Sequence, residues 1–151
     1  AAGTPHRAWN GSAWVSSTTT REVAGGTTGY DCISHAGVAK NVLTVGAVNG
    51  IGGGYLQPSQ VVASAFHGWG PTDDGRIKPD VVAKGVGVLS SSSAGDASYN
   101  TKNGTSMASP MVTGSMALLQ QHYRQLNGNT PMKAATLKAL VIHTADEAGI
   151  S

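Results

Sequence analysis

Cysteine is nearly absent from this sequence of 151 residues, and its scarcity excludes two classes of small protein. Cys32 is the single cysteine, so neither an internal disulfide nor a cysteine-based zinc site can form. We interpret Cys32 as a small buried apolar residue without a reactive role. The sequence also begins without an initiator methionine and without the basic and apolar regions of a signal peptide. We therefore expect it to be a processed or excised piece.

Charge is also scarce, and the two signs nearly balance. Only 12% of the residues are charged, and ten basic against eight acidic residues leave a net charge of +2. Proteins that bind nucleic acid or a membrane surface through a basic field carry a stronger and more one-sided charge. No apolar run approaches the ~20 residues of a membrane-spanning helix. The sequence, 40% of it hydrophobic, therefore predicts a globular protein with a core and with neither nucleic acid nor membrane as a partner.

Glycine, by contrast, is abundant, and turns separate short apolar segments along the first two thirds of the chain. Runs rich in β-branched residues predict strands at residues 42–48, 61–66, 80–83 and 86–89. The first run is almost continuously apolar, which is typical of a strand buried on both faces of a parallel sheet. Residues 7–31 carry clustered turn residues and polar runs, and we interpret them as a loop insertion.

The last third of the chain predicts two helices. Apolar and small residues recur through residues 105–126, which favours a long, closely packed helix that ends before Asn127 and Gly128. A second helix is predicted over residues 131–144, with Thr130 as its cap and Pro131 at its first position. Strands followed by helices with short connections indicate an α/β fold.

Residues 103–110, Asn-Gly-Thr-Ser-Met-Ala-Ser-Pro, are the segment that points to chemistry. Ser106 is predicted in the first turn of the long helix, beside unpaired backbone N–H groups and the positive end of the helix dipole, where a developing oxyanion is stabilised. A serine or threonine at this place is also an ordinary helix cap. Pro110 argues against a simple cap, because it removes the donor to the Ser106 carbonyl and bends the first turn.

Residues 104–110 resemble the nucleophile motif of the subtilases, the subtilisin-like serine proteases, at seven consecutive positions. Residues 41–48, 66–71 and 74–83 are similar to family segments that precede the serine, so the resemblance spans about residues 36–145. Two departures occur upstream of the nucleophile. Lys84 stands where the family usually has proline, and His67 stands where serine is common.

The resemblance implies a three-layer α/β fold with a mainly parallel sheet, incomplete here because residues 1–151 would be a partial catalytic domain lacking the N-terminal half. It implies a serine endopeptidase in which Ser106 attacks the peptide carbonyl and forms an acyl-enzyme. The family's aspartate and histidine precede its serine, and neither of their sequence contexts occurs in this chain. We therefore expect the fragment alone to be inactive and to need the missing N-terminal part as its partner. Secretion or a cell-envelope location follows from the family only.

Residues 1–4, Ala-Ala-Gly-Thr, resemble the family's Ala-Ala-Gly-Asn, whose asparagine donates a hydrogen bond to the oxyanion. Thr4 would then occupy the donor position, with Asn10 as an alternative and the Ser106 N–H as the second donor. Around the nucleophile, the motif residues that would support its loop are Asn103, Gly104, Thr105 and Pro110.

No metal or cofactor is predicted. Some subtilases bind calcium, and Asp73, Asp74 and Asp96 are the acidic residues that could suggest it here. Asp73 and Asp74 are adjacent rather than alternating, and no loop has the ligand spacing of a calcium motif. We interpret these residues as parts of solvated turns.

Two other classes of function share features with this sequence. An α/β-hydrolase would place its nucleophile in Gly-x-Ser-x-Gly, but Ala108 replaces the second glycine, and His143 precedes Asp146 in the wrong order. A subtilase-like domain used for binding or structure remains open, because the triad is incomplete within this sequence. The histidines of the chain lie outside the family's histidine context, and we expect packing or surface roles for them: His6, His35, His67, His122 and His143.

Overall fold

The computed structural model describes residues 6–9, 14–17, 33, 36–72 and 74–148. This part of the chain forms six strands, a short 3-10 turn at Pro58–Gln60 and two α-helices. In chain order, the elements are β1 (His6–Trp9), β2 (Trp14–Ser17), β3 (Val45–Val48), β4 (Val81–Lys84), β5 (Val88–Ser91), β6 (Tyr99–Lys102), α1 (Thr105–Leu126) and α2 (Ala134–His143).

The parallel pair β3 and β4 is the centre of the fold, and α1 packs against both strands. Ala47 on β3 and Ala108 on α1 are fully buried, at 0% exposure each, since small side chains let the helix approach the sheet closely. The strands of the other two pairs, β1 with β2 and β5 with β6, run antiparallel. Parallel strands covered by a helix confirm the predicted α/β class.

The predicted strand at residues 61–66 is wrong. This segment makes only an isolated antiparallel bridge, between Ala63 and Val48. It is bent at both ends, because the 3-10 turn precedes it and the His67 N–H donates to the Ser64 carbonyl. The β-branched residues gave a strand signal, but the turns leave too short an extended stretch for a ladder.

The other predicted strands form with shifted bounds. β3 begins at Val45 rather than residue 42, because the Val42 N–H donates to Ala39 in a turn. β4 lies one residue later than predicted, and β5 replaces the predicted strand at 86–89 because Gly87, at φ 64°, lies in a turn. The predicted loop at 7–31 contains the hairpin of β1 and β2, and its other residues lie outside the described part.

Helix α1 has the predicted bounds, Thr105–Leu126. Helix α2 begins at Ala134 rather than at residue 131. Lys133, not Thr130, is the N-cap of α2, and its side chain makes no capping hydrogen bond. The reason lies in Met132, whose N–H donates to Gln120 Oε1 at 2.9 Å and whose carbonyl accepts from Gln120 Nε2 at 3.0 Å. These bonds hold the chain in a non-helical conformation against α1. Neither helix of the described residues is long and apolar enough to cross a membrane.

A buried ionic cluster holds the chain where β3 and β4 begin. Lys78 Nζ lies 2.6 Å from Asp80 Oδ2 and donates to the Val42 carbonyl at 2.8 Å. Asp80 Oδ2 also accepts the Thr44 N–H at 2.6 Å, and Lys138 of α2 donates to the same Val42 carbonyl. With its side chain only 3% exposed, Lys78 depends on these partners for solvation.

Candidate active site

The chain enters α1 through Gly104, whose backbone only glycine adopts readily. Its φ of 152° and ψ of 159° fall in a region that a side chain makes costly. Strand β6 ends at Lys102, and Gly104 is already the N-cap of α1, so only Asn103 separates the strand from the helix cap. Ser106 therefore stands in the first turn of α1, as the sequence predicts.

Ser106 is exposed, and its backbone N–H has no acceptor among the described residues. The first N–H groups of an α-helix have no carbonyl one turn earlier to pair with. They also carry the positive end of the helix dipole, which favours a negative charge at this point. A hydroxyl and a free N–H on the same residue can serve as a nucleophile and as a donor to an oxyanion.

Pro110 changes the first turn of α1. It lies inside the helix and has no N–H, so it cannot donate to the Ser106 carbonyl. The turn is instead closed by the Met107 N–H, which donates to the Gly104 carbonyl at 3.0 Å. Thr105, the first residue of the helix, has no side-chain hydrogen bond among the described residues.

Backbone hydrogen bonds fasten residues 103–106, the nucleophile loop of the sequence prediction, to the carboxyl ends of β3 and β4. The Gly104 N–H donates to the Gly85 carbonyl at 2.8 Å, and the Gly85 N–H donates to the Val48 carbonyl at 2.9 Å. Asn103 Oδ1 accepts the Gly87 N–H at 2.7 Å, which ties the loop to the connection between β4 and β5. Ser106 thus lies at the edge of the parallel sheet where ligands bind in open α/β folds.

Sequence reasoning missed Gly85 and Gly87 as parts of this loop. They were visible only as two glycines flanking Val86, next to the position where Lys84 departs from the family pattern. Nothing in a local pattern indicates that Gly85 pairs with Gly104, because the two residues are distant in sequence. The signal was the glycine itself, since a buried glycine often marks a close approach of another backbone.

No described histidine is hydrogen-bonded to Ser106. On a helix that rises roughly 1.5 Å per residue, His122 lies about 24 Å from Ser106 along α1. His143 is exposed at the end of α2, and the side chains of His6 and His35 lie outside the described residues. The described part therefore places no general base beside the serine.

His67 has a packing role, as predicted. Its ring fills the space beside Gly46 where a side chain would start, so a Cβ there would overlap the ring. Nδ1 lies 3.1 Å from the Ala47 nitrogen and 3.2 Å from its oxygen, and the ring meets Trp69 edge-on at 4.7 Å. Burial lowers the pKa of His67 below 6.5, and the hydrogen bond to the Ala47 carbonyl opposes that shift. The buried imidazole therefore packs against Gly46 and Ala47 of β3.

Several predicted residues lie outside the described part of the chain. These are Thr4, Asn10, Cys32 and Asp73. Asp74 is described, and its carboxylate accepts from Arg76 and from Thr72 in a surface turn, which lowers its pKa to about 2. Within the described ranges, no three His, Cys, Asp or Glu side chains lie together as a metal site would require.

Comparison with known proteins agrees with this geometry. The model of the subtilase family, Peptidase_S8, matches residues 8–151. C5a peptidase of Streptococcus pyogenes serotype M18 (strain MGAS8232) is 42% identical over 80 residues, which cover 52% of this chain and 7% of that protein. Serine protease AprX of Bacillus subtilis (strain 168) is 35% identical over 113 residues, covering 66% of this chain and 25% of that protein.

The same relationship appears in a solved structure. The CspB protease of Clostridium perfringens superposes with a TM-score of 0.64 at 30% sequence identity, over 78% of this chain and 24% of that chain. The chain thus spans a quarter or less of each of these relatives. A subtilisin-like neighbour of this quality supports the incomplete α/β fold expected from the sequence. With a family match that runs almost from end to end, the chain belongs to the subtilase family.

Proposed function

We propose that this chain carries the nucleophile of a subtilisin-type serine endopeptidase, and that Ser106 is that nucleophile. The observation that carries the proposal is the placement of Ser106 in the first turn of α1, with an exposed side chain and an N–H that no described residue accepts. The relatives named peptidase and protease support a polypeptide substrate. An extended peptide would lie along the carboxyl ends of β3 and β4, across the helix N-terminus.

The chemistry follows from the position of the hydroxyl. Ser106 Oγ attacks the carbonyl carbon of the scissile peptide, and its proton passes to a histidine and then to the leaving amine. The C–N bond breaks, and the acyl group remains on Oγ until water attacks the ester and releases the acid. An aspartate orients the histidine throughout. In this proposal, the histidine and the aspartate belong to a segment that precedes this sequence.

Two donors would stabilise the oxyanion. One is the Ser106 N–H, which points away from the helix at its positive end. The other is the Thr4 hydroxyl, placed by the resemblance of residues 1–4 to the family's Ala-Ala-Gly-Asn. Because a hydroxyl reaches less far than an amide, Thr4 must approach more closely than asparagine would. Losing one oxyanion donor costs about 3 kcal/mol in the barrier.

Exposed apolar side chains support a partner that completes the domain. Leu118 and Leu126 on α1 are 68% and 71% exposed, and Ile77 before β4 is 87% exposed. Contiguous apolar surface marks an interaction site, and these side chains would contribute to one where the rest of the domain packs on them. We propose that the N-terminal half of the same protein covers part of it and supplies the aspartate and histidine. A secreted or cell-envelope location belongs to the proposal as well.

A fluorophosphonate probe, which phosphonylates an activated serine, tests the nucleophile directly. Intact mass is read for the 151-residue chain, for its Ser106→Ala variant and for the parent protein. We expect the parent to be labelled at Ser106, the fragment to stay unlabelled, and Ser106→Ala to lower hydrolysis by the parent more than about 10³-fold. Ser115→Ala is the matched control, because it removes a serine hydroxyl from the exposed surface of α1 away from the loop.

The alternative is a subtilase-like domain that binds or supports without catalysing. The absence of a described histidine beside Ser106 is the observation that favours it. A parent protein that resists the probe would establish this alternative and refute the proposal. Labelling of the isolated fragment would instead show that one of its own histidines acts as the base.

A further inference from the structure

Gly85 is the point at which the sheet meets the nucleophile loop. Its N–H donates to the Val48 carbonyl at the end of β3, and its carbonyl accepts the Gly104 N–H in front of α1. Gly85 is buried, so water cannot replace either partner. One residue therefore connects the strand that carries the fold to the turn that presents Ser106.

There is no space for a side chain at Gly85. A Cβ would lie 2.6 Å from Ala47 Cβ, 2.8 Å from the Gly104 oxygen and 3.5 Å from Ala108 Cβ. Because real Cβ contacts are essentially never shorter than 3.0 Å, the first two neighbours would have to move. The Gly104 oxygen accepts the Met107 N–H in the first turn of α1, so moving it would displace the turn that carries Ser106.

The requirement for glycine at this position is spatial rather than conformational. Gly85 is not among the glycines whose φ is positive, whereas Gly104 and Gly87 are. Alanine could adopt the backbone of Gly85 without strain if the space were free. The effect of a substitution would therefore pass through the contacts with Gly104 and Ala47.

We infer that Gly85 is a positioning residue for the reaction, and that its missing side chain sets the distance between the sheet and the N-terminus of α1. This inference rests on the proposed function of Ser106. Displacement of Gly104 carries the Ser106 hydroxyl and N–H away from the place where the reacting carbonyl binds. A shift of about 1 Å in a catalytic group can cost about 100-fold in rate.

The test is the kinetics of Gly85→Ala in the intact protein, assayed well below its unfolding temperature. We expect kcat to fall about 10- to 100-fold while KM stays within about threefold, because the change affects the reacting groups more than substrate contacts. Leu137→Ala is the matched control: it destabilises the buried side of α2 but leaves the nucleophile loop in place, so its kcat should be unchanged.

A second variant separates positioning from stability, and it relieves one of the two close contacts in case Gly85→Ala does not fold. Gly85→Ala combined with Ala47→Gly removes the contact at 2.6 Å but keeps the contact with the Gly104 oxygen at 2.8 Å. We expect this double variant to regain thermal stability while kcat stays low. Recovery of kcat together with stability would overturn the inference, as would an unchanged kcat in Gly85→Ala.

Fluorophosphonate labelling of the unsubstituted intact protein distinguishes the two possible failures. If Ser106 is labelled and the glycine variants turn over normally, the positioning role is refuted and the proposed function stands. If Ser106 is not labelled, the proposed function fails and the inference fails with it. Labelling together with slow turnover of both glycine variants supports both.

Discussion

The two ends of the β3–β4 pair are held by opposite kinds of interaction. At the carboxyl ends, backbone hydrogen bonds and missing side chains at Gly85 and Gly104 fix the nucleophile loop. At the amino ends, the buried ammonium of Lys78 and the carboxylate of Asp80 connect β3 to β4. One end is sensitive to added atoms and the other to removed charges. The comparison teaches that, within the described residues, backbone hydrogen bonds and close packing position the loop without an ion pair.

The largest effect on stability is expected at the charged end. Asp80→Asn leaves the Lys78 ammonium buried without its counter-charge, and we expect the free energy of unfolding to fall by about 3–5 kcal/mol. Urea denaturation measures this loss. The double variant Lys78→Met with Asp80→Asn removes both charges and should recover much of it. If the Asp80→Asn variant of the intact protein is folded but Ser106 no longer reacts with the probe, the two ends do not act independently and the comparison is wrong.

A smaller effect is expected from Gly104→Ala at the other end. The backbone of Gly104 lies where a side chain costs about 1–3 kcal/mol, so the variant should be destabilised by that amount. Labelling of Ser106 in the intact protein should slow at the same time, since the strain is relieved by moving the turn. Gly114→Ala is the control within α1. It meets no atom within 4 Å and should stabilise the helix by about 0.5–1 kcal/mol.

The smallest effect on stability is expected from the titration of His67, which packs against β3 between its two ends. Because burial lowers the pKa of His67 below its unfolded value of 6.5, folding favours the neutral ring. The stability that this provides is fully present above pH 6.5 and is lost as the pH falls through the lower folded-state pKa. Thermal unfolding between about pH 8 and pH 5 measures it. We expect His67→Gln, which keeps a hydrogen-bonding group without the titration, to have the weaker pH dependence in this range; an equal dependence would contradict this assignment.

The sequence predicts an element well where the signals that start and stop it are local. Helix α1 begins after Gly104 and ends before Asn127, Gly128 and Asn129, and the last two have positive φ values that stop a helix. The start of α2 was misplaced because Gln120, distant in sequence, binds Met132 and delays the helix. The strand predicted at 61–66 failed for a similar reason, since its pairing depends on tertiary contacts.

The candidate site also contains a part that local sequence signals predict and a part that depends on tertiary contacts. Ser106 and its flanking residues could be predicted, because a short motif encodes both the turn and the helix N-terminus. The bonds from Gly104 to Gly85 and from Asn103 to Gly87 could not, because they join segments that only the folded sheet brings together. Thr4 stays a prediction, since it lies outside the described residues.

The segment from Val62 to His67 also covers the edge of β3 that faces away from β4. An open strand edge offers unpaired N–H and carbonyl groups on which strands of other molecules can assemble. On the side of β3 away from β4, the Ala47 carbonyl accepts from Ser64, and the Asn49 N–H donates to Val62. The imidazole of His67 packs against the Ala47 backbone from the same side. The irregular turn and the aromatic ring thus leave few unpaired backbone groups at this end of β3 for a strand of another molecule to bind. A longer regular strand at 61–66 would instead have presented an open edge of its own.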